Sequence, residues 1–199
     1  MVRYSLTNGV FTSLFNFVTN PTVAVTNFGK QPYGTPVLYE NQLYFTTLSG
    51  GSQGKGVLAK LNLADNSYTK LADFETNNLV LGGSPQYNGG TLYTNPFTGR
   101  IAIYLPINRG GVNNLPLGNG TIIRVDLPPP PIVVTPSSAE NGDLVLSWVG
   151  GYAPYSIDRK DDLTVPDWTT NWLSGLTTNT VSLSVTGAQG FFRVSSTNQ

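Results

Sequence analysis

The chain has 199 residues, 11 basic and 11 acidic, so its formal net charge is zero and no field of one sign steers it onto nucleic acid or an anionic membrane. It has no cysteine and no histidine, which excludes a disulfide framework, thiolate metal sites, zinc–histidine centres and histidine-based triads. Charged residues are 11% of the chain, against roughly 25% in ordinary soluble domains, and Asn, Thr, Ser and Gly carry the polarity instead. A surface of this kind repels itself weakly and tolerates packing against its own copies; it equally suits a secreted domain of low charge.

The 22 Gly and 14 Pro interrupt the chain every few residues and leave no room for long helices. Short β-branched and aromatic runs between them predict strands at Val10–Phe17, Pro36–Tyr39, Gln42–Thr47, Val57–Leu63, Tyr68–Phe74, Thr91–Tyr93, Ile101–Leu105 and Thr121–Leu127. In Val57–Leu63 the odd positions Val57, Ala59, Leu61 and Leu63 share one face, the two-residue period of a half-buried strand. No run approaches the roughly 20 apolar residues of a membrane-spanning helix, and Met1–Gly9 lacks the apolar core of an export signal, so export requires a leader already removed or another route.

Blocks recur in order. Thr12-Ser13-Leu14-Phe15-Asn16-Phe17 matches Thr69-Lys70-Leu71-Ala72-Asp73-Phe74. Gly34-Thr35-Pro36 followed by Leu43-Tyr44 matches Gly83-Ser84-Pro85 followed by Leu92-Tyr93, and Gly50-Gly51 matches Gly110-Gly111. Gly54–Leu63 matches Gly118–Leu127. The copies span about 10–63 and 68–127, with an insertion near Thr94–Asn108 that reads as an extra hairpin turning at Phe97–Arg100. Repeats of this period build propellers or solenoids, and two copies are too few to close a propeller. Either they form an open, capped sheet, or neighbouring subunits supply further copies.

The run Leu43-Tyr44-Phe45-Thr46-Thr47-Leu48-Ser49-Gly50-Gly51-Ser52-Gln53-Gly54-Lys55-Gly56-Val57-Leu58-Ala59-Lys60-Leu61 resembles the GloVer-type tandem repeat of bacterial secreted and surface proteins. It departs from that pattern at Phe45, where Gly is usual, and at Ala59, where an aromatic is usual. The resemblance covers about residues 10–127; it implies an extracellular or cell-surface protein and no catalytic activity.

Pro128-Pro129-Pro130-Pro131 is a stiff polyproline linker. Beyond it, residues 132–199 resemble a small fibronectin type III or immunoglobulin-like sandwich. Leu144–Trp148, Tyr155–Arg159, Val181–Val185 and Phe191–Val194 stand as its strands, Trp148 in its core, and turns at Gly150-Gly151, Gly175 and Gly187. The expected fold class is therefore all-β: a two-copy propeller-like β-repeat domain over 1–127, a linker at 128–131, and a fibronectin III/Ig-like β-sandwich over 132–199.

Carboxylate pairs are the remaining catalytic option, and most of the eleven acids fall at predicted turns or strand edges. Asp158, Asp161, Asp162 and Asp167 are enough oxygen donors for calcium, but their spacing is not that of an EF-hand and solvated turn acids explain them. Gly50-Gly51-x-x-Gly54-x-Gly56 lacks the Lys-Ser/Thr of a phosphate loop and reads as hairpin turns. Asn119-Gly120-Thr121 fits a glycosylation sequon, and a Gly-x-Gly turn explains it equally. Scattered basic residues argue against nucleic-acid binding. No catalytic residue, metal or cofactor is assigned.

Two functions from different classes follow. The first is a non-enzymatic subunit of an extracellular filament, sheath or surface layer, a homo-oligomer or polymer assembled by strand exchange through Val10, Phe11, Leu14, Phe15, Phe17, Val23 and Val25. The alternative is a secreted polysaccharide-binding or adhesion protein that stacks sugars on Trp168 and Trp172, which lie in a loop-like stretch.

Overall fold

The computed structural model describes residues 1–17, 28–75, 82–85, 89–110, 120–184 and 189–196. Among them every regular element is a strand, as the spacing of Gly and Pro requires. The strands form several small sheets, none closed into a barrel.

The chain divides into two compact units. One comprises Met1–Tyr93 and Ala102–Val125, the other Thr94–Ile101 and Asp126–Gln199. In the first unit β1 (Val2–Tyr4) pairs with β2 (Phe11–Ser13) as a two-stranded hairpin. A four-stranded antiparallel sheet follows, in the order β3 (Val37–Tyr39), β4 (Gln42–Thr46), β5 (Val57–Asn62), β6 (Tyr68–Asp73). A three-stranded sheet has the order β7 (Thr91–Thr94), β8 (Ile101–Ile107), β9 (Thr121–Asp126).

Val57, Ala59 and Leu61 are fully buried, as the two-residue period predicts, and with Phe45 they form a core onto which Leu14, Phe15, Phe17 and Tyr68 pack. Leu58 on the opposite face is buried as well, so β5 is covered on both sides. Tight glycine turns fix the approach to β5 and β9. Gly56 has φ +96° and donates its N–H to the Gly50 carbonyl at 2.9 Å; Gly120 has φ +94° and donates to the Gly110 carbonyl at 3.1 Å. Antiparallel bridges Lys30↔Ser49 and Gly83↔Arg109 stand just before these turns.

That placement corrects one sequence match. β4 is the strand that runs into Gly50, and β8 is the strand that runs into Gly110. Leu92-Tyr93 on β7 therefore corresponds to Leu38-Tyr39 on β3, not to Leu43-Tyr44. The stretch after Tyr93 is no added hairpin but a longer version of the β3–β4 connection. Its turn does fall at the expected place, where the Asn95 carboxamide oxygen accepts from the Phe97 and Thr98 N–H groups. A two-residue period cannot distinguish two adjacent Leu-Tyr pairs, and only strand pairing separates them.

In the second unit β10 (Val133–Ser138), β11 (Leu144–Val149) and β14 (Thr180–Leu183) form one sheet, and β13 (Thr169–Leu176), β12 (Tyr155–Lys160) and β15 (Phe191–Ser196) another. Leu146, Trp148 and Leu183 of the first meet Tyr155 and Ile157 of the second in one core, with Trp148 against Tyr155 at 5.3 Å. Three expectations change here. β10 and β13 occupy stretches without predicted strands; Gly175 lies inside β13 rather than at a turn; and Trp172 sits on that strand rather than in a loop. The β12–β13 ladder shifts register twice, and bulges of this kind admit the polar, Gly-containing sequence that hides a strand from pattern reading.

A candidate assembly surface

The surface is built on the N-terminal hairpin. Its turn is closed by the Gly9 N–H donating to the Ser5 carbonyl at 2.9 Å, the Ser5 N–H to the Val10 carbonyl at 3.0 Å, and the Val10 N–H to the Asn8 side-chain oxygen at 3.2 Å. Tyr4 and Phe11 are directly opposed, with ring centroids 4.7 Å apart. Yet the hairpin buries little: Phe11 is 73% exposed and Leu6 92%, and Val2, Tyr4 and Val10 are exposed beside them.

The next residues behave differently. Phe15 stacks on Tyr68 at 4.7 Å and an interplanar angle of 17°, and Phe17 meets the buried Phe45 edge-on at 5.7 Å. Leu14 packs against the same cluster. Phe28 joins Tyr68 at 5.2 Å, and the Tyr68 hydroxyl donates to the Phe28 carbonyl at 2.7 Å. Burial, reinforced by the Asp73 charge, holds the Tyr68 hydroxyl well above the usual tyrosine range.

The seven residues expected to mediate assembly are thus divided. Val10 and Phe11 are presented to solvent, Leu14, Phe15 and Phe17 fasten the hairpin to its own sheet, and Val23 and Val25 lie outside the described residues. Sequence reading missed β1, whose Val2 and Tyr4, with Leu6 in the turn that follows, add to the exposed apolar surface. The signal was present, since Asn8-Gly9 flanked by Val2-Arg3-Tyr4 and Val10-Phe11-Thr12 is a hairpin pattern.

Trp168 and Trp172 belong to a different environment. The Arg193 guanidinium lies 4.7 Å from the Trp168 ring and the Lys160 ammonium 5.8 Å; Arg159 stands 5.3 Å from the Trp172 ring, which also packs on Phe192 at 5.8 Å. These are cation–π arrangements, and each holds a cation over a ring on which a sugar would have to stack. Asp158, which pairs with Arg193, is only 5% exposed, on a strand rather than at a solvated turn. It accepts from Arg193 Nε at 2.6 Å and from the Asn171 N–H at 2.6 Å. Its partner is Arg193 on the neighbouring strand, not the adjacent Arg159, which pairs with Asp161 at 2.9 Å.

Among the described residues three carboxyls are displaced, all downward. The Ser67 hydroxyl and N–H lower Asp65, and the Thr164 N–H and hydroxyl lower Asp162. Burial alone would raise Asp73, but the Lys70 ammonium and the Ser52 N–H outweigh it and hold it below the usual range. A carboxylic acid poised to donate a proton is raised instead. Among the described residues no cluster of three or more His, Cys, Asp or Glu is placed to hold a metal ion, and no helix is long and apolar enough to cross a membrane.

Comparison with protein-family models, with curated proteins and with solved structures gives no match for this chain.

Proposed function

We propose that this chain is a non-enzymatic structural subunit of an extracellular assembly, built from a two-copy propeller-like β-repeat and a fibronectin III/Ig-like sandwich, and joined to its neighbours through the N-terminal hairpin. The observation that carries the reading is the contrast along residues 2–17. Leu14, Phe15 and Phe17 anchor the segment, while Val2, Tyr4, Leu6, Val10 and Phe11 project as one exposed apolar element. An exposed apolar patch on an element held in place is the mark of an interaction surface. The near absence of charge on the hairpin, where Arg3 is the one charged side chain, removes the repulsion that would keep copies apart. The polysaccharide alternative has less support, because cations cover Trp168 and Trp172.

Negative-stain microscopy and sedimentation of the purified protein over a range of concentrations test the reading. Regular polymers are expected, and Tyr4→Glu/Phe11→Glu should abolish them while leaving the circular dichroism unchanged. Polymers of the charged variant indistinguishable from those of the parent would refute the surface assignment, and a parent that stays monomeric at every concentration would refute the assembly role.

A further inference from the structure

The β1–β2 hairpin repeats, pair for pair, the ladder between β5 and β6. Tyr4↔Phe11, Arg3↔Thr12 and Val2↔Ser13 stand where Leu61↔Tyr68, Lys60↔Thr69 and Ala59↔Lys70 stand. The Ser5 N–H to Val10 carbonyl bond at 3.0 Å has its counterpart in Asn62 N–H to Ser67 carbonyl at 2.9 Å. The sequences agree, Thr12-Ser13-Leu14-Phe15-Asn16-Phe17 with Thr69-Lys70-Leu71-Ala72-Asp73-Phe74.

β9 belongs to the same series as β5 and β1. It leaves Gly120 as β5 leaves Gly56, which aligns Lys60 with Arg124 and Leu61 with Val125. Val2-Arg3-Tyr4 of β1 falls on Ile123-Arg124-Val125 in the same frame. β5 has β6 on its far side and β1 has β2. β9 ends its sheet, with no strand beyond it among the described residues, and Ile122 on it is 70% exposed.

We infer that the outer edge of β9 is the acceptor for β2 of a second copy of this chain. This rests on the assembly reading above and names its partner surface. β2 exchanges its own β1 for the neighbour's β9, in the register Phe11↔Val125, Thr12↔Arg124 and Ser13↔Ile123. Like replaces like, so the ladder bonds given up are regained, the condition under which exchange of an element between protomers costs little. Leu14, Phe15 and Phe17 keep their places on the donor's own sheet. Each copy gives one strand and receives one, so the contact is head-to-tail and propagates as an open filament or closes as a ring. A strand added to a sheet edge takes its affinity from main-chain hydrogen bonds and its register from side-chain fit; here β6 is the example, seated on β5 within the same chain.

The absence of native cysteine makes the register directly testable. Thr12→Cys protein is mixed with Arg124→Cys protein under mild oxidation; opposed residues in an antiparallel ladder have Cα atoms about 4.5–5.5 Å apart, within disulfide range. Mixed dimer is expected at least ten-fold above that from Thr12→Cys with Lys60→Cys, since Lys60 lies on a strand already covered by β6. As a measurement free of substitutions, the amides of Ile122 and Arg124 in the unmodified protein should gain hydrogen-exchange protection on assembly, because Leu127 N–H bonds inward to the Ile101 carbonyl and the even positions of β9 therefore direct their main-chain groups away from β8. Polymers without the mixed dimer and without that protection would overturn the β9 assignment and leave the assembly reading standing. A Thr12→Cys/Arg124→Cys chain that closes only on itself would also overturn it. A parent protein that never polymerises overturns both.

Discussion

Gly56→Ala probes the turn on which the first sheet depends. Gly56 has φ +96°, and a Cβ there would lie 1.9 Å from the Thr47 carbonyl oxygen, whereas ordinary contact begins near 3.4 Å. The left-handed backbone alone costs an alanine about 1–2 kcal/mol, partly offset by the lower entropy of its unfolded chain, about 0.4–1 kcal/mol. The overlap is the larger effect, because the oxygen belongs to backbone that cannot swing aside. Relieving it moves Thr47 off Val57, where Thr47 N–H to Val57 carbonyl and Val57 N–H to Thr47 Oγ1 both measure 3.0 Å. It also disturbs the Phe74 N–H bond to the Gly56 carbonyl at 2.9 Å. With roughly 1 kcal/mol for each hydrogen bond lost, the substitution should cost about 4 kcal/mol, a large share of a domain's stability. Gly54→Ala is the control: φ is +69° but nothing lies within 4 Å of its Cβ, so the cost should stay near 1 kcal/mol. All three tryptophans lie between residues 148 and 172, in the C-terminal unit, so their fluorescence does not follow this event. Amide exchange of Ala59 and Leu61 on β5 does, and should accelerate about a thousand-fold in Gly56→Ala and less than ten-fold in Gly54→Ala. Similar acceleration in both variants would show that backbone strain alone, without the carbonyl overlap, governs the turn.

In the C-terminal unit, Asp158→Ala should cost about 2–3 kcal/mol by removing charge-assisted bonds to Arg193 and the Asn171 N–H. The Arg193 side chain is half-exposed and rehydrates, which keeps the loss below that of a fully buried pair. Asp158→Asn retains an acceptor for Asn171 and should lose less than half as much; urea unfolding followed by tryptophan fluorescence would show the two variants equal if that bond contributes nothing. The lowered Asp73 carboxyl gives the N-terminal unit a pH dependence of definite sign. Its folded pKa lies below the unfolded one, so its contribution is fully present above the ordinary carboxyl range, near pH 4, and is lost as pH falls through the folded value. Lys70→Met removes the ion pair at 2.7 Å and should move the onset of acid-induced exchange in β5 to higher pH, whereas an unmoved onset would place the acid sensitivity elsewhere.

The all-β class was legible in the chain because Gly and Pro recur too often for helices and because Val57, Ala59 and Leu61 alternate with Leu58, Lys60 and Asn62 as half-buried strands do. Part of the core of the C-terminal unit was legible too: Trp148 was expected in it, and Leu146, Ile157 and Leu183 from the expected strands are buried with it. The matching glycine blocks were legible as well, since left-handed turns admit little besides glycine. These are local properties of the backbone and of side-chain period, and a sequence carries them without reference to a partner strand.

Pairing is not local. Leu92-Tyr93 reads the same against Leu38-Tyr39 or Leu43-Tyr44 until β7 and β8 are seen side by side. Phe11 and Phe15 are the same residue type four positions apart, yet one projects into solvent and the other stacks on Tyr68, because the ladder with β1 ends before Phe15 and the chain then turns onto β5 and its neighbours. Asp158 looked like a solvated turn acid beside Arg159 and Lys160; the alternation of β12 sends Arg159 to the opposite face, and Arg193, directly across on β15, becomes its partner. The sequence alone determined that the chain is built of strands, where most of them run and which large apolar residues fit a core, while β1, β10 and β13 escaped it. Only the tertiary structure decided which strand lies beside which, and hence which apolar residues are satisfied within the chain and which are left for a neighbour.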